Sequence, residues 1–154
     1  MLTSIEGLLA QYETKILKAK LLEFPALIRA QKDKVAQARR ELADAEKVRV
    51  EAEALLIAAI AAEVNPNNGK PAYSNAEARA AELTRRKKLD PDYQVADMAV
   101  RDAEAKLNAA QFDLEQLQDQ FKAYRYIVDL TARELALLAA GANEDQEELT
   151  KEPF

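Results

Sequence analysis

The 154-residue chain contains no histidine, no cysteine and no tryptophan. Without histidine and cysteine there is no thiol nucleophile, imidazole base, Cys/His zinc site, disulfide or haem ligation. Most enzyme chemistries are thereby removed, and no enzymatic activity, cofactor or metal is expected. Glycine is scarce, with only Gly7, Gly69 and Gly141, and proline occurs five times. No apolar run approaches the ~18 to 20 residues that span a bilayer. The opening Met1-Leu2-Thr3-Ser4-Ile5-Glu6 lacks the basic-then-apolar order of a secretory signal. No membrane association is expected, and a cytoplasmic location fits.

What the chain has in quantity is alanine and charge. There are 31 alanines, 22 Lys+Arg and 27 Asp+Glu, for a net charge of -5. Few breakers with this composition mean long helices or coiled coil. The expected fold is all-α, a long antiparallel helical hairpin with kinks near Pro25 and Pro91. It occupies residues 1–140 as one coiled-coil domain, followed by an acidic flexible tail over 141–154.

The breakers set the boundaries. From Thr3 to Ala62 only Gly7 and Pro25 interrupt, which is roughly 90 Å of helix at 1.5 Å per residue. The one dense turn cluster runs from Glu63 to Asn75. Ser74 and Glu77 then have capping-box spacing. Asp90-Pro91 is a second helix start, with Asp as N-cap and Pro at the first helical position. Gly141 stands where a left-handed C-cap would end the last helix near Ala140.

Apolar residues recur every seven positions in two interleaved series. In the last helix they are Val100, Leu107, Leu114, Phe121, Val128, Leu135 and Ala103, Ala110, Leu117, Tyr124, Thr131, Leu138. In the first they are Leu21, Ile28, Val35, Leu42, Arg49, Leu56 and Phe24, Gln31, Ala38, Ala45, Ala52, Ala59. Series three and four residues apart form a coiled-coil seam. Val100, Leu107, Leu114, Leu117 and Phe121 are expected to bury against Val35, Leu42, Ala45 and Ala52. Before Pro25 the apolar phase reads differently, through Leu9, Ile16, Tyr12 and Ala19, so a kink or break is expected near Glu23-Phe24. Leu8, Leu17, Leu22, Leu27, Ile127, Leu130 and Leu137 lie off the seam. Two helices cannot cover them, so either residues 1–24 fold back as a third helix or two chains associate, and a homo-oligomer, dimer or larger, is the expectation preferred.

Charge is segregated. Residues 70–88 hold six cations against two acids, and residues 141–154 hold five acids against one lysine. Lys70, Arg79, Arg85, Arg86, Lys87 and Lys88 form a basic collar at the bend, a candidate contact for phosphates of single- or double-stranded DNA. Glu147, Glu148, Glu152, Pro153 and Phe154 form a candidate partner-binding tip. Glu41 and Asp44 share a helical face but have no second such pair, and read as a solvated face.

Two resemblances add to this reading. Asn68-Gly69-Lys70-Pro71-Ala72-Tyr73-Ser74-Asn75, then Glu77, Arg79 and Asp90-Pro91-Asp92-Tyr93-Gln94, resemble small uncharacterised coiled-coil proteins of phages and prophages. The acidic run ending in Pro153-Phe154 resembles the C-terminal tip of bacterial single-stranded-DNA-binding proteins, whose terminal Phe enters an apolar pocket on a partner. Together they imply a phage-type accessory factor of DNA replication or recombination, placed in the host cytoplasm, with a replication or repair protein as partner. The alternative is a structural coiled-coil adaptor, scaffold or assembly chaperone without nucleic-acid binding, or an inhibitor of a host defence protein.

Overall fold

A computed structural model describes residues 5–149, with side-chain environments for residues 6–142. The protein is all-α. Four helices follow in order: α1 (Ile5–Gln11), α2 (Thr14–Ala62), α3 (Ala76–Leu89) and α4 (Pro91–Leu149). The described residues contain no strand, only one isolated antiparallel bridge between Val64 and Pro71. They divide into two compact units, one of residues 5–31 with 113–149 and the other Lys32–Phe112.

In the Lys32–Phe112 unit α2 and α4 pack as an antiparallel hairpin. Glu41 meets Lys106 at 3.5 Å and Arg49 meets Asp97 at 3.3 Å, so numbering rises on one helix as it falls on the other. The seam is the one the heptads predict. Val35, Ala38, Ala96, Val100 and Ala103 are buried, and Val100 is only 1% exposed. Leu42, Ala45, Ala52 and Leu107 are half-buried, because a two-helix seam leaves one flank of each side chain open. The polar exception, Arg49, is accommodated by its hydrogen bond to Asp97, which also takes Arg101 at 2.9 Å. The α2 series shifts at its end: Ala59 is exposed and Ile60 is buried, where α3 lies alongside.

The bend between α2 and α3 is tightly hydrogen-bonded. Asn65 N–H donates to the Lys70 carbonyl (2.7 Å) and Ala72 N–H to that of Glu63 (2.9 Å). The Asn65 and Asn68 side chains accept from Asn67 and Lys70 N–H groups, as short polar side chains do in turns. Gly69 takes φ +65°, the conformation a Cβ disfavours. The cap of α3 is Asn75, whose Oδ1 accepts from Ala78 N–H at 2.7 Å, rather than the expected Ser74. Asp90 caps α4 as expected, accepting from Tyr93 N–H at 2.8 Å, with Pro91 at the first helical position. The break at Pro91 therefore separates two helices.

In the unit of residues 5–31 and 113–149, Phe24 is the anchor. It is buried between Phe121 (centroids 5.7 Å apart) and Tyr124 (5.3 Å), one turn apart on α4. Leu114, Leu117 and Phe121 are half-buried in this unit, with Phe121 on Phe24, and do not share a unit with the Val35, Leu42, Ala45 and Ala52 they were expected to meet. The expected break at Pro25 is absent: α2 is helical throughout Thr14–Ala62 with Pro25 inside it. Pro25 lies exposed, and its buried neighbour Phe24 holds the turn in place. The interruption comes instead at Tyr12–Glu13, with Glu13 at φ 49°. Within α2 the predicted phase change is also absent, whereas Tyr12, ahead of α2, is half-buried as predicted. Leu9, Ile16 and Ala19 are exposed, while Thr14 and Leu17 continue the Leu21/Phe24 stripe toward the N-terminus. Gly141 does not end α4, which runs on to Leu149. Its neighbours Ala139, Ala140 and Ala142 are the strongest helix formers and outweigh one glycine.

Candidate interaction surfaces

The predicted basic collar separates into two sets. α3 brings Arg85 and Arg86 three and four residues after Glu82, the spacing at which side chains meet on a helix. Glu82 is buried and accepts from both: Arg85 through two nitrogens (2.9 and 2.7 Å) and Arg86 at 2.6 Å. Arg86 also donates to Glu63 across the bend and lies 6.0 Å from the Tyr73 ring centre. Lys87 reaches Glu53 on α2 at 2.6 Å and sits 5.3 Å from the Tyr93 ring centre. These contacts tie α3 to α2 and α4. Hydrogen bonds from Arg85 and Arg86 hold the Glu82 carboxyl at about 2, and the same contacts push both guanidinium values up.

The second set is exposed. Lys70, Arg79 and Lys88 have no ionic partner among the described residues, and Arg85 keeps 60% of its side chain in solvent. The last turn of α3 carries Arg86, Lys87 and Lys88, where cations are favoured by the helix dipole. Glu82 was legible only as a charge offset in the sequence. Its three- and four-residue spacing to the arginines was the signal that marked it as a hub.

A cleft of about 220 Å³ lies between the end of α2 and α3. It is lined by Ile57, Ile60, Ala61, Ala80 and Leu83, with Arg79 as the one charged member.

Apolar surface is the other outward feature. α4 carries a stripe opposite its seam. In the Lys32–Phe112 unit it includes Val95 (70% exposed), Met98 and Phe112, with Ala105 and Ala109 between them. In the other unit it includes Tyr126, Leu130 and Leu137, at steps of four and seven. Val48, Val50, Leu55 and Ile57 add exposed apolar area on α2. Seven hydrophobic residues are buried among those described, whereas eighteen large ones are exposed.

Glu41 and Asp44, which share a helical face, stand apart from any larger acidic cluster among the described residues. Glu41 accepts from Gln37 and pairs with Lys106, and no group of three metal-capable side chains occurs among the described residues. No described helix is long and apolar enough to cross a membrane. Of the predicted tip, Glu147 and Glu148 fall within α4, and Glu152, Pro153 and Phe154 lie outside the described residues. Comparison with known proteins finds no matching family model, no matching curated protein and no matching solved structure.

Proposed function

We propose that this chain is a non-enzymatic coiled-coil interaction protein that binds further helices, a second copy first among them, through the outer stripe of α4. The observation that carries this reading is that stripe: Val95 and Met98, three apart, and Tyr126 and Leu130, four apart, stand exposed on the side away from the intrachain seam, with Phe112 and Leu137 on the same side. Such spacing is what a second coiled-coil seam needs. Left in water, these side chains forfeit about 25 cal/mol for each Å² of apolar area that a partner would cover. The chemistry of the chain agrees, since it has no His or Cys and its carboxylates mostly serve ion pairs or solvated faces. The test is Tyr126→Glu combined with Leu130→Glu. Both are exposed enough to leave the fold intact, with unchanged helicity by circular dichroism. Light scattering behind size exclusion should show the unmodified chain as an oligomer and the variant at 17.1 kDa. Equal masses for the two would reject the stripe.

A second reading has its own observation. Lys70, Arg79, Arg85 and Lys88 remain exposed on one bend, a small basic surface suited to nucleic-acid phosphates, as an accessory factor of phage-type DNA metabolism would use. Arg86 and Lys87 are engaged within the hairpin, so the contact involves at most four cations. The salt slope for single-stranded DNA should be no steeper than about -3. Absence of retardation at low salt would remove this role.

A further inference from the structure

The outer stripe of α4 keeps a strict alternation of three- and four-residue steps. In the Lys32–Phe112 unit it runs through Val95, Met98, Asp102, Ala105, Ala109 and Phe112, all exposed. In the other unit the same alternation gives Ala123, Tyr126, Leu130, Arg133, Leu137 and Ala140, again all exposed. Each run holds one charged residue, Asp102 in the first and Arg133 in the second. Neither has an ionic partner among the described residues. A charge within a coiled-coil seam costs stability, and its best-attested use is to fix register.

The two runs match when read in opposite directions. With Asp102 set opposite Arg133, Ala105 faces Leu130, Ala109 faces Tyr126 and Phe112 faces Ala123, so small side chains meet large ones. Met98 then faces Leu137, and Val95 faces Ala140. Sliding one run by seven residues sets Asp102 against Tyr126 and Arg133 against Val95. The opposite slide sets them against Ala140 and Ala109. A parallel pairing in register sets Asp102 on Asp102 and Arg133 on Arg133, which like-charge repulsion disfavours.

We propose that α4 pairs with α4 of a second copy in this antiparallel register, with Asp102 of each copy bonded to Arg133 of the other. The register rests on the outer stripe binding a second copy, and it fixes the direction and the facing residues. Each run lies within one compact unit, so one Asp102–Arg133 patch takes one unit from each copy. The relation is reciprocal, which is that of an isologous contact.

The chain has no cysteine, so a disulfide between single-cysteine variants can only join two chains. Ala105→Cys chains are mixed in turn with Leu130→Cys, Ala123→Cys and Leu137→Cys chains, oxidised, and mapped by mass spectrometry. All four positions are exposed. The Ala105→Cys chain should link to Leu130→Cys about tenfold more than to itself or to the other two, since a disulfide needs Cβ atoms close together. In sedimentation equilibrium, Asp102→Arg should weaken self-association about tenfold, and adding Arg133→Asp should restore it to within about threefold. Preferred linkage to Ala123→Cys, to Leu137→Cys or of Ala105→Cys to itself would overturn the register while leaving the stripe as the surface. Oligomers that form none of these disulfides, or no rescue by Arg133→Asp, would do the same. An unmodified chain that stays at 17.1 kDa would reject the stripe itself, and the register with it.

Discussion

Replacing Phe24 tests how the unit around it is held. Its ring is 6% exposed and lies tilted against two others, at 41° to Phe121 and 49° to Tyr124. Phe24→Leu keeps most of the apolar burial but loses both ring pairs. At about 0.5 to 1.5 kcal/mol for each pair, the loss should be about 1 to 3 kcal/mol. Phe24→Ala also removes the burial and opens a cavity, for about 3 to 5 kcal/mol. In a chain of this size each kcal/mol lowers Tm by about 2 to 4 °C. The assay is urea unfolding followed by circular dichroism at 222 nm, repeated at two chain concentrations because self-association shifts apparent stability. A double-mutant cycle with Phe121→Leu isolates one ring pair and should return a coupling of about 0.5 to 1.5 kcal/mol. A Phe24→Leu loss below about 0.5 kcal/mol, or zero coupling, would refute the assignment of Phe24 as the anchor.

Four further outcomes follow from the same contacts. Pro25→Ala should stabilise the protein by up to about 3 kcal/mol in urea unfolding, since it restores a donor inside a continuous helix. Asn75→Ala should cost about 0.5 to 2 kcal/mol, while Ser74→Ala should stay within about 0.5, because only Asn75 holds an amide of α3. The Glu82 value is depressed in the folded state. Its contribution is therefore complete above the ordinary carboxyl value of 4.5 and is lost as pH falls toward about 2. Glu82→Gln should flatten the acid limb of the stability–pH curve in that window. Arg49→Leu should leave stability within about 1 kcal/mol of the parent, since Asp97 keeps Arg101 and the pair is part-exposed.

The heptads made the seam legible residue by residue. Of the predicted seam residues all are buried or half-buried, Arg49 and Thr131 included, except the last of two series, Ala59 and Leu138, which are exposed. Periodicity works there because burial is set by geometry that repeats over many turns. Single-residue signals fared differently, because each competes with its neighbours. Pro25 sits beside buried Phe24, and the helix continues through it. Gly141 sits among alanines, so α4 continues. Ser74 and Asn75 are both good caps, and only backbone geometry at Asn75 (φ -120°, ψ 164°) decides between them. North of Leu17 the apolar residues are too many to give one phase, and the structure selects Thr14 and Leu17 over Leu9 and Ile16.

The basic block shows the same limit for function. Composition identified six cations near the bend but not which acids would reach them. Glu53 and Glu63 are 34 and 23 residues from their partners, and such pairings exist only once the hairpin has formed. The cleft was equally invisible, since Ile57 and Ile60 meet Ala80 and Leu83 only after the bend reverses the chain. The outer stripe of α4, by contrast, was partly legible. Leu130 and Leu137 stood off the seam in the sequence, and both are exposed.

Sedimentation equilibrium of the unmodified chain across micromolar concentrations tests the central claim most directly. The account predicts a weight-average mass above 17.1 kDa that rises with concentration. A constant mass of 17.1 kDa over that range would contradict it.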